Sequence, residues 1–505
     1  MLSIVVFLPL AAALGLLAAP RVGDRTALRV WLAASAVVFV LVVAMWVAYV
    51  VDPDGTGSGG PLGTIGYEQR VRWIPSVGVG YHVGVDGLSL PLLALTSGLF
   101  LACAVYSLRE TRRVRSYAAL FLFLETACLG LFAALDLIVF FVFFDLSIVG
   151  MYFVIAGWGH GDAARSALKF FLYTFVGSLA LLLGFIGLYV VAEPSTFDMV
   201  DLARQVPLAG EPLAGALVLL ALGVGLAVKT PVVPFHTWLP PAHVDAPATG
   251  SAILAGVLLK MGTYGFVRIV MPILPDSWRG YALVFVVVGV VSVLYGALVA
   301  LAQRSFKRMI AYTSVNHMGY VILAVGAAGI VAGTETQARA LAVTGAVTQM
   351  VSHGLITGAL FLLAGVLYER GGTYDMDRYG GMAARTPSFA GLTAVAAFAS
   401  LGLPGFSGFI AEFQIFTGSL GSVPVATALA FLGILITAAL MLWALQRIFL
   451  GQPRADTAGA VDVRASEMLA IAPLLALALA IGVFPRFLLD VIEPAAVVVA
   501  ELVAR

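Results

Sequence analysis

The sequence predicts an all-α polytopic membrane protein of about fourteen transmembrane helices, with two inverted five-helix repeats and breaks in helices 7 and 12. Of 505 residues, 61% are hydrophobic and only 11% are charged, whereas soluble chains carry about a quarter charged residues. Mean hydropathy is +1.03. The apolar residues also fall into runs long enough to cross a bilayer, at ~20 residues each. A water-soluble protein is excluded, and the net charge of +1 points to no polyanionic partner.

The runs lie near 2–20, 28–50, 86–108, 116–135, 137–157, 168–192, 213–233, 248–271, 280–302, 309–332, 339–368, 387–417, 424–450 and 466–492. The first lacks a basic leader and reads as a retained span, not a cleaved signal. The longest polar connection, about 51–84, is rich in Gly and Pro and reads as a loop, with His82 in it; His160 also reads as a loop residue. Cys103 and Cys128 sit in separate apolar runs and read as core packing. No soluble domain fits, so residues 1–505 form one membrane domain.

Basic residues crowd alternate connections: Arg21, Arg25 and Arg29; Arg109, Arg112, Arg113 and Arg115; Arg304, Lys307 and Arg308; Arg447, Arg454 and Arg464. The positive-inside rule turns these toward the cytoplasm and both termini outward.

Ionisable residues inside the spans are the main functional clue. Lys229 stands in LGVGLAVKTPVVPF, Lys260 in ILAGVLLKMGTYGF, Asp145 in VFFDLSIVGMYF, Glu412 in GFIAEFQIF and Glu125 in LFLETACLG. Each costs about 3 kcal/mol or more at bilayer depth unless paired or hydrated, and such groups mark ion pathways. Only four residues are lysine (Lys169, Lys229, Lys260 and Lys307), and two of them are mid-span. A desolvated lysine can release its proton, which arginine cannot do. The competing reading is static ion pairing between helices, strongest for Glu125.

Helix breakers supply the second clue. Pro231, Pro234, Pro240 and Pro241 follow Lys229, while Gly402, Pro404, Gly405 and Gly408 precede Glu412. Broken spans at depth are tolerated where they line a cavity. The seventh and twelfth spans are five apart and so run oppositely, as inverted repeats over about 116–271 and 280–450 would place them.

Histidines are the third. His236 and His243 flank the seventh-span break, and His317 and His353 lie in later spans, His353 beside Thr348, Gln349 and Ser352. Histidine titrates near neutrality and can shuttle protons. No cysteine cluster, nucleotide loop, dinucleotide fingerprint or haem motif is present in the sequence. Any energy for uphill transport must come from a gradient or a partner.

FHTWLPPAHVDAPATGSAILAGVLLKMGTYGFVRI at 235–269 resembles the signature of the antiporter-like subunits of respiratory complex I and of multi-subunit cation/proton antiporters. YHVGVDGLSLPLLALT, SFKRMIAYTSVNHMGY and GLPGFSGFIAEF strengthen the resemblance, whose core runs from about 85 to 450. Glu412 stands where M-type subunits of the proton-pumping NADH:quinone oxidoreductases carry Glu and other branches carry Lys. The resemblance implies a proton relay through Asp145, Lys229, Lys260, His317 or His353, and Glu412, with Glu125, His236 and His243 as further candidates. It implies no cofactor or metal on this chain, with FMN, iron–sulfur clusters and quinone in partner subunits. The partners it implies are other membrane-arm subunits in a bacterial cell membrane. The family usually has Glu where Asp145 stands, Glu at Asp245 and Asp at Ser305. A cation/proton antiporter subunit is the alternative function, and a membrane scaffold the bland one.

Overall fold

A computed structural model describes residues 1–19, 21–52, 57–330, 336–453 and 459–505. Arg454 lies outside the described residues. The chain begins with α1 (Leu2–Ala18) and α2 (Asp24–Val51), then an antiparallel sheet of β1 (Gly57–Gly60), β2 (Gly63–Ile74) and β3 (Val79–Val85). Next come α3 (Ser89–Tyr106), α4 (Val114–Ala133), α5 (Leu137–Trp158), α6 (Ala163–Val191), the short α7 (Met199–Gln205) and α8 (Pro212–Lys229). After a break come α9 (Leu239–Asp245) and α10 (Ala248–Ile273), then α11 (Pro275–Leu301), α12 (Phe306–Ile330) and α13 (Thr336–Gly371). The chain closes with α14 (Pro387–Ser400), α15 (Ser407–Leu420), α16 (Pro424–Phe449), α17 (Ala465–Val483) and α18 (Arg486–Ala504).

Among the described residues, 12 helices are long and apolar enough to cross a bilayer; Leu2–Ala18 and Pro387–Ser400 are shorter apolar helices. The most hydropathic windows of α10 and α13 are wholly buried within the chain, and that of α12 nearly so, while α2, α6 and α16 turn most of their surface outward. The helix interior of the fold is therefore α10, α12 and α13; Lys260, His317 and His353 lie on these three, and Glu412 lies against His317.

Both expected breaks are present. α8 stops at Lys229 and helix resumes at Leu239; α14 stops at Ser400 and helix resumes at Ser407. Proline removes a backbone donor in the first case, and glycine gives the left-handed turn in the second: Gly402 has φ +75°.

Two expectations about local structure are corrected. The 51–84 connection holds the sheet, and His82 lies on β3 opposite Arg70 of β2. Alternating Val79, Tyr81, Val83 and Val85 specify a strand, a pattern that the interleaved glycines obscure. The 466–492 run is two helices, because Phe484-Pro485 stops α17 and α18 starts at Arg486. α18 is amphipathic: Leu488, Val491, Ile492, Ala496 and Val499 are buried, whereas Arg486, Asp490 and Glu493 are exposed.

Candidate functional site

Lys229 ends α8 and is 1% exposed. Its Nζ donates to Ser147 Oγ at 3.0 Å and stands 4.6 Å from the centre of the Phe144 ring. Asp145, on the same turn of α5, makes no ion pair with it; Asp145 Oδ1 is buried with no hydrogen-bond partner. Among the described residues the ammonium's hydrogen-bond partner is the Ser147 hydroxyl, two residues further along α5. That hydroxyl is also 3.5 Å from Met261 Sδ, next in sequence to Lys260.

Lys260 is fully buried in α10. Two π-helical segments, Leu254–Leu258 and Phe266–Val270, bracket it. A π turn disturbs the regular carbonyl ladder and often marks a functional position; Lys260 Nζ donates to Ala255 O within the first segment. The same nitrogen is 2.6 Å from His353 Nδ1. Two glycines let α10 and α13 approach closely enough for this contact. A Cβ on Gly354 would lie 2.8 Å from Gly256 O, and one on Gly256 would lie 3.3 Å from Gly354 O.

From His353 the polar side chains continue across α12 to the second break. The His353 and His317 rings are 5.3 Å apart, and Gln349 Nε2 is 3.1 Å from His317 Nδ1. His317 Nδ1 is 3.9 Å from Glu412 Oε1. The carboxylate of Glu412 occupies the place where a side chain of residue 402 would begin, since a Cβ on Gly402 would lie 2.3 Å from Glu412 Oε2. Ser352 Oγ and Ser407 Oγ, 2.8 Å apart, fasten α13 to the restarted helix. His353 Nε2 and Gln349 Oε1 are buried without a hydrogen-bond partner.

The other candidates stand apart from this line. Glu125 is buried on α4 and accepts from Ser35 Oγ of α2 at 2.6 Å. His236 sits in the first break with its ring 5.0 Å from that of Tyr295 on α11. His243 on α9 stacks on Phe361 of α13 at 4.5 Å, and neither ring nitrogen has a hydrogen-bond partner. Lys307, expected on a connection, is instead fully buried in the first turn of α12. Its position between Arg304 and Arg308 disguises it. Ser147 was also not among the expected residues, and a hydroxyl in an apolar helix gives little signal.

On the sheet side, β3 docks onto the helix ends through charges. His82 Nδ1 is 2.6 Å from Asp198 Oδ2 and its Nε2 is 2.8 Å from Glu68 Oε1. Asp198 caps α7 and also pairs with Arg70 at 3.1 Å. Asp136 caps α5 and accepts from Gly80 N at 3.2 Å. Burial opposes the charge on His82, but bonds to Asp198 and Glu68 outweigh it and raise its pKa. Burial pushes the Asp136 carboxyl up to about 6.

A bundle with two broken helices, buried lysines and a line of histidines to a buried carboxylate defines an antiporter-like membrane subunit. Residues 134–437 match the family described as "NADH:quinone oxidoreductase/Mrp antiporter, TM". The chain belongs to this family, in its M-subunit branch. It is 37% identical over 499 residues to NADH-quinone oxidoreductase subunit M of Rickettsia prowazekii, covering 97% of this chain and 96% of that one. It is 38% identical over 431 residues to F(420)H(2) dehydrogenase subunit M of Methanosarcina mazei, covering 84% and 85%. A chain of respiratory complex I from Thermus thermophilus superposes with a TM-score of 0.87 at 30% identity, covering 100% of both chains. This is a multi-pass membrane protein of the proton-translocating, redox-linked class. Among the described residues no group of three or more His, Cys, Asp or Glu is arranged to hold a metal ion.

Proposed function

We propose that this chain carries protons through the membrane arm of a bacterial NADH:quinone oxidoreductase along Lys229, Lys260, His353, His317 and Glu412, with Asp145 tuning Lys229. The observation that carries the reading is the succession of buried groups from Lys260 to Glu412: a 2.6 Å hydrogen bond, two rings with centres 5.3 Å apart and a final 3.9 Å step. Each group in it can hold or release a proton, and each is buried from solvent. Electrons travel through FMN, iron–sulfur clusters and quinone in partner subunits, and their energy reaches this chain as a change at its boundary with a neighbouring antiporter-like subunit. The inverted repeats span about 116–271 and 280–450, each contributing one broken helix, and both termini face outward.

Glu412 favours a redox-linked subunit over the cation/proton exchanger. A second reading, a different electron donor for the whole complex, draws on the similarity to the Methanosarcina subunit. The test is NADH-driven proton uptake into sealed vesicles, with assembly followed on native gels. Wild-type pumping in an assembled Lys260→Arg complex would remove the relay.

A further inference from the structure

We infer that Lys307 is a third exchangeable lysine, feeding protons to Lys260 through His243 from the face of the protein opposite the sheet. This rests on the relay proposed above and extends it by one branch.

Lys307 is 0% exposed, yet no ion pair is formed by its ammonium among the described residues. Its Nζ donates to Ala246 O at 2.5 Å and Val244 O at 3.4 Å, and lies 4.9 Å from the centre of the Tyr374 ring. Asp245 is engaged instead by Ser166 Oγ at 2.5 Å. The charge is thus held by two carbonyl dipoles at the end of α9 and by a ring face, partners that keep their place when the proton leaves. An arginine or a carboxylate-paired lysine would hold its proton; this arrangement does not require it to.

The neighbours extend on both sides. Val244, which accepts from Lys307, directly follows His243, a fully buried imidazole with both nitrogens unpartnered. A buried polar ring with no partner is uncommon and calls for a role. His243 is fastened to both helices of the relay: its carbonyl accepts from Ser251 Oγ of α10, the helix of Lys260, at 3.0 Å, and its ring stacks 4.5 Å from Phe361 of α13, the helix of His353. Toward the surface, the Tyr374 ring beneath Lys307 stacks 5.6 Å from His160, a half-buried residue of the α5–α6 connection whose amide bonds Asp245 O at 2.9 Å. In the transfer, the ammonium of Lys307 gives a proton to a ring nitrogen of His243. The imidazolium passes a proton on to neutral Lys260, and the resulting amine of Lys307 takes its replacement from solvent water on the His160 side.

Lys307→Arg separates exchange from capping, because arginine can still bond the two carbonyls but cannot give up its proton. We expect the Lys307→Arg complex to assemble and its proton uptake to fall by about tenfold or more, with His243→Gln falling likewise. Rescue by arginine, giving wild-type pumping, would reduce Lys307 to a helix cap and overturn the inference. If Lys307→Arg does not assemble, His243→Gln decides alone, since His243 has no side-chain hydrogen bond to lose; wild-type pumping there overturns the inference too. Lys260→Arg run in parallel tells the two failures apart. If it blocks pumping while both new variants pump normally, only this branch is wrong; if it pumps normally, the relay is wrong.

Discussion

The two broken helices solve the same problem with opposite materials. At the first, prolines open the backbone after Lys229, and the lysine meets a hydroxyl and an aromatic face, with Asp145 outside ion-pair reach. At the second, a glycine with φ +75° opens the backbone, and the Glu412 carboxylate fills the space beside it, 3.9 Å from a histidine. The first half holds a cation without a close counter-ion; the second holds an acid at the end of a line of bases. On the proposed relay, proton affinity would be adjusted in the first half by moving Asp145 toward Lys229, and in the second by altering the line itself.

The largest expected effect is on Lys229. Lys229→Arg keeps the charge but fixes the proton, and NADH-driven uptake into sealed vesicles should drop by roughly tenfold or more with assembly retained, as each 1.4 kcal/mol of mismatched proton affinity costs that factor. Wild-type uptake would show that the first half works by static charge. Glu412→Gln should block transfer to a similar degree while leaving the helix intact, because glutamine matches the shape of glutamate; Glu412→Asp should retain partial activity. An assembled Glu412→Gln complex that pumps normally takes the carboxylate out of the second half.

Gly402→Ala tests whether the break itself places the acid. The added Cβ would sit 2.3 Å from Glu412 Oε2 in a left-handed conformation, which costs a non-glycine residue about 1–2 kcal/mol. Pumping should fall several-fold and thermal stability slightly, whereas alanine at Gly391, with open space around its Cβ, should change neither. Equal behaviour of the two would dissolve the contrast between the breaks. Asp145→Glu should maintain or raise pumping by extending the carboxylate toward Lys229, and a clear loss would show that separation is the working geometry.

The smallest effect concerns the sheet. Burial opposes the charge on both His82 and Asp198, but their mutual hydrogen bond and ion pairing outweigh it, raising the pKa of the histidine and lowering that of the aspartate. The histidine's share of stability is full below about 6.5, its unfolded value, and fades as pH rises through its higher folded value. The share from Asp198 is full above about 3.9 and fades as pH falls through its lower folded value. Protection of β3 amides, relative to their intrinsic exchange rates, should therefore fall as pH rises through the raised folded value of His82, and His82→Gln should flatten that dependence. Unchanged pH dependence in the variant would assign the effect elsewhere.

Lys229, Lys260 and Glu412 were legible in the sequence because an ionisable residue in an apolar run is conspicuous, and the breaks because proline and glycine announce themselves. Lys307 was not, since flanking arginines make the first turn of α12 look like an exposed connection. Ser147 carried no signal, because its role arises only where α5 crosses the end of α8. The absence of an Asp145–Lys229 ion pair depends on how α5 and the end of α8 pack, which the sequence does not give. The sheet and the α17–α18 corner were hidden for a different reason: glycine spacing blurred a strand, and a single Phe-Pro step divided an otherwise continuous apolar stretch.

The close approach of Gly256 and Gly354 seats α10 on α13 beside Lys260 and His353, where a Cβ added to Gly354 would meet the Gly256 carbonyl at 2.8 Å and the Leu95 side chain at 2.5 Å. If the proposed relay carries the current, a short series of alanine, serine and valine at residue 354 should spread the two helices in steps and lower NADH-driven proton uptake in the same order, with every proposed proton carrier left in place.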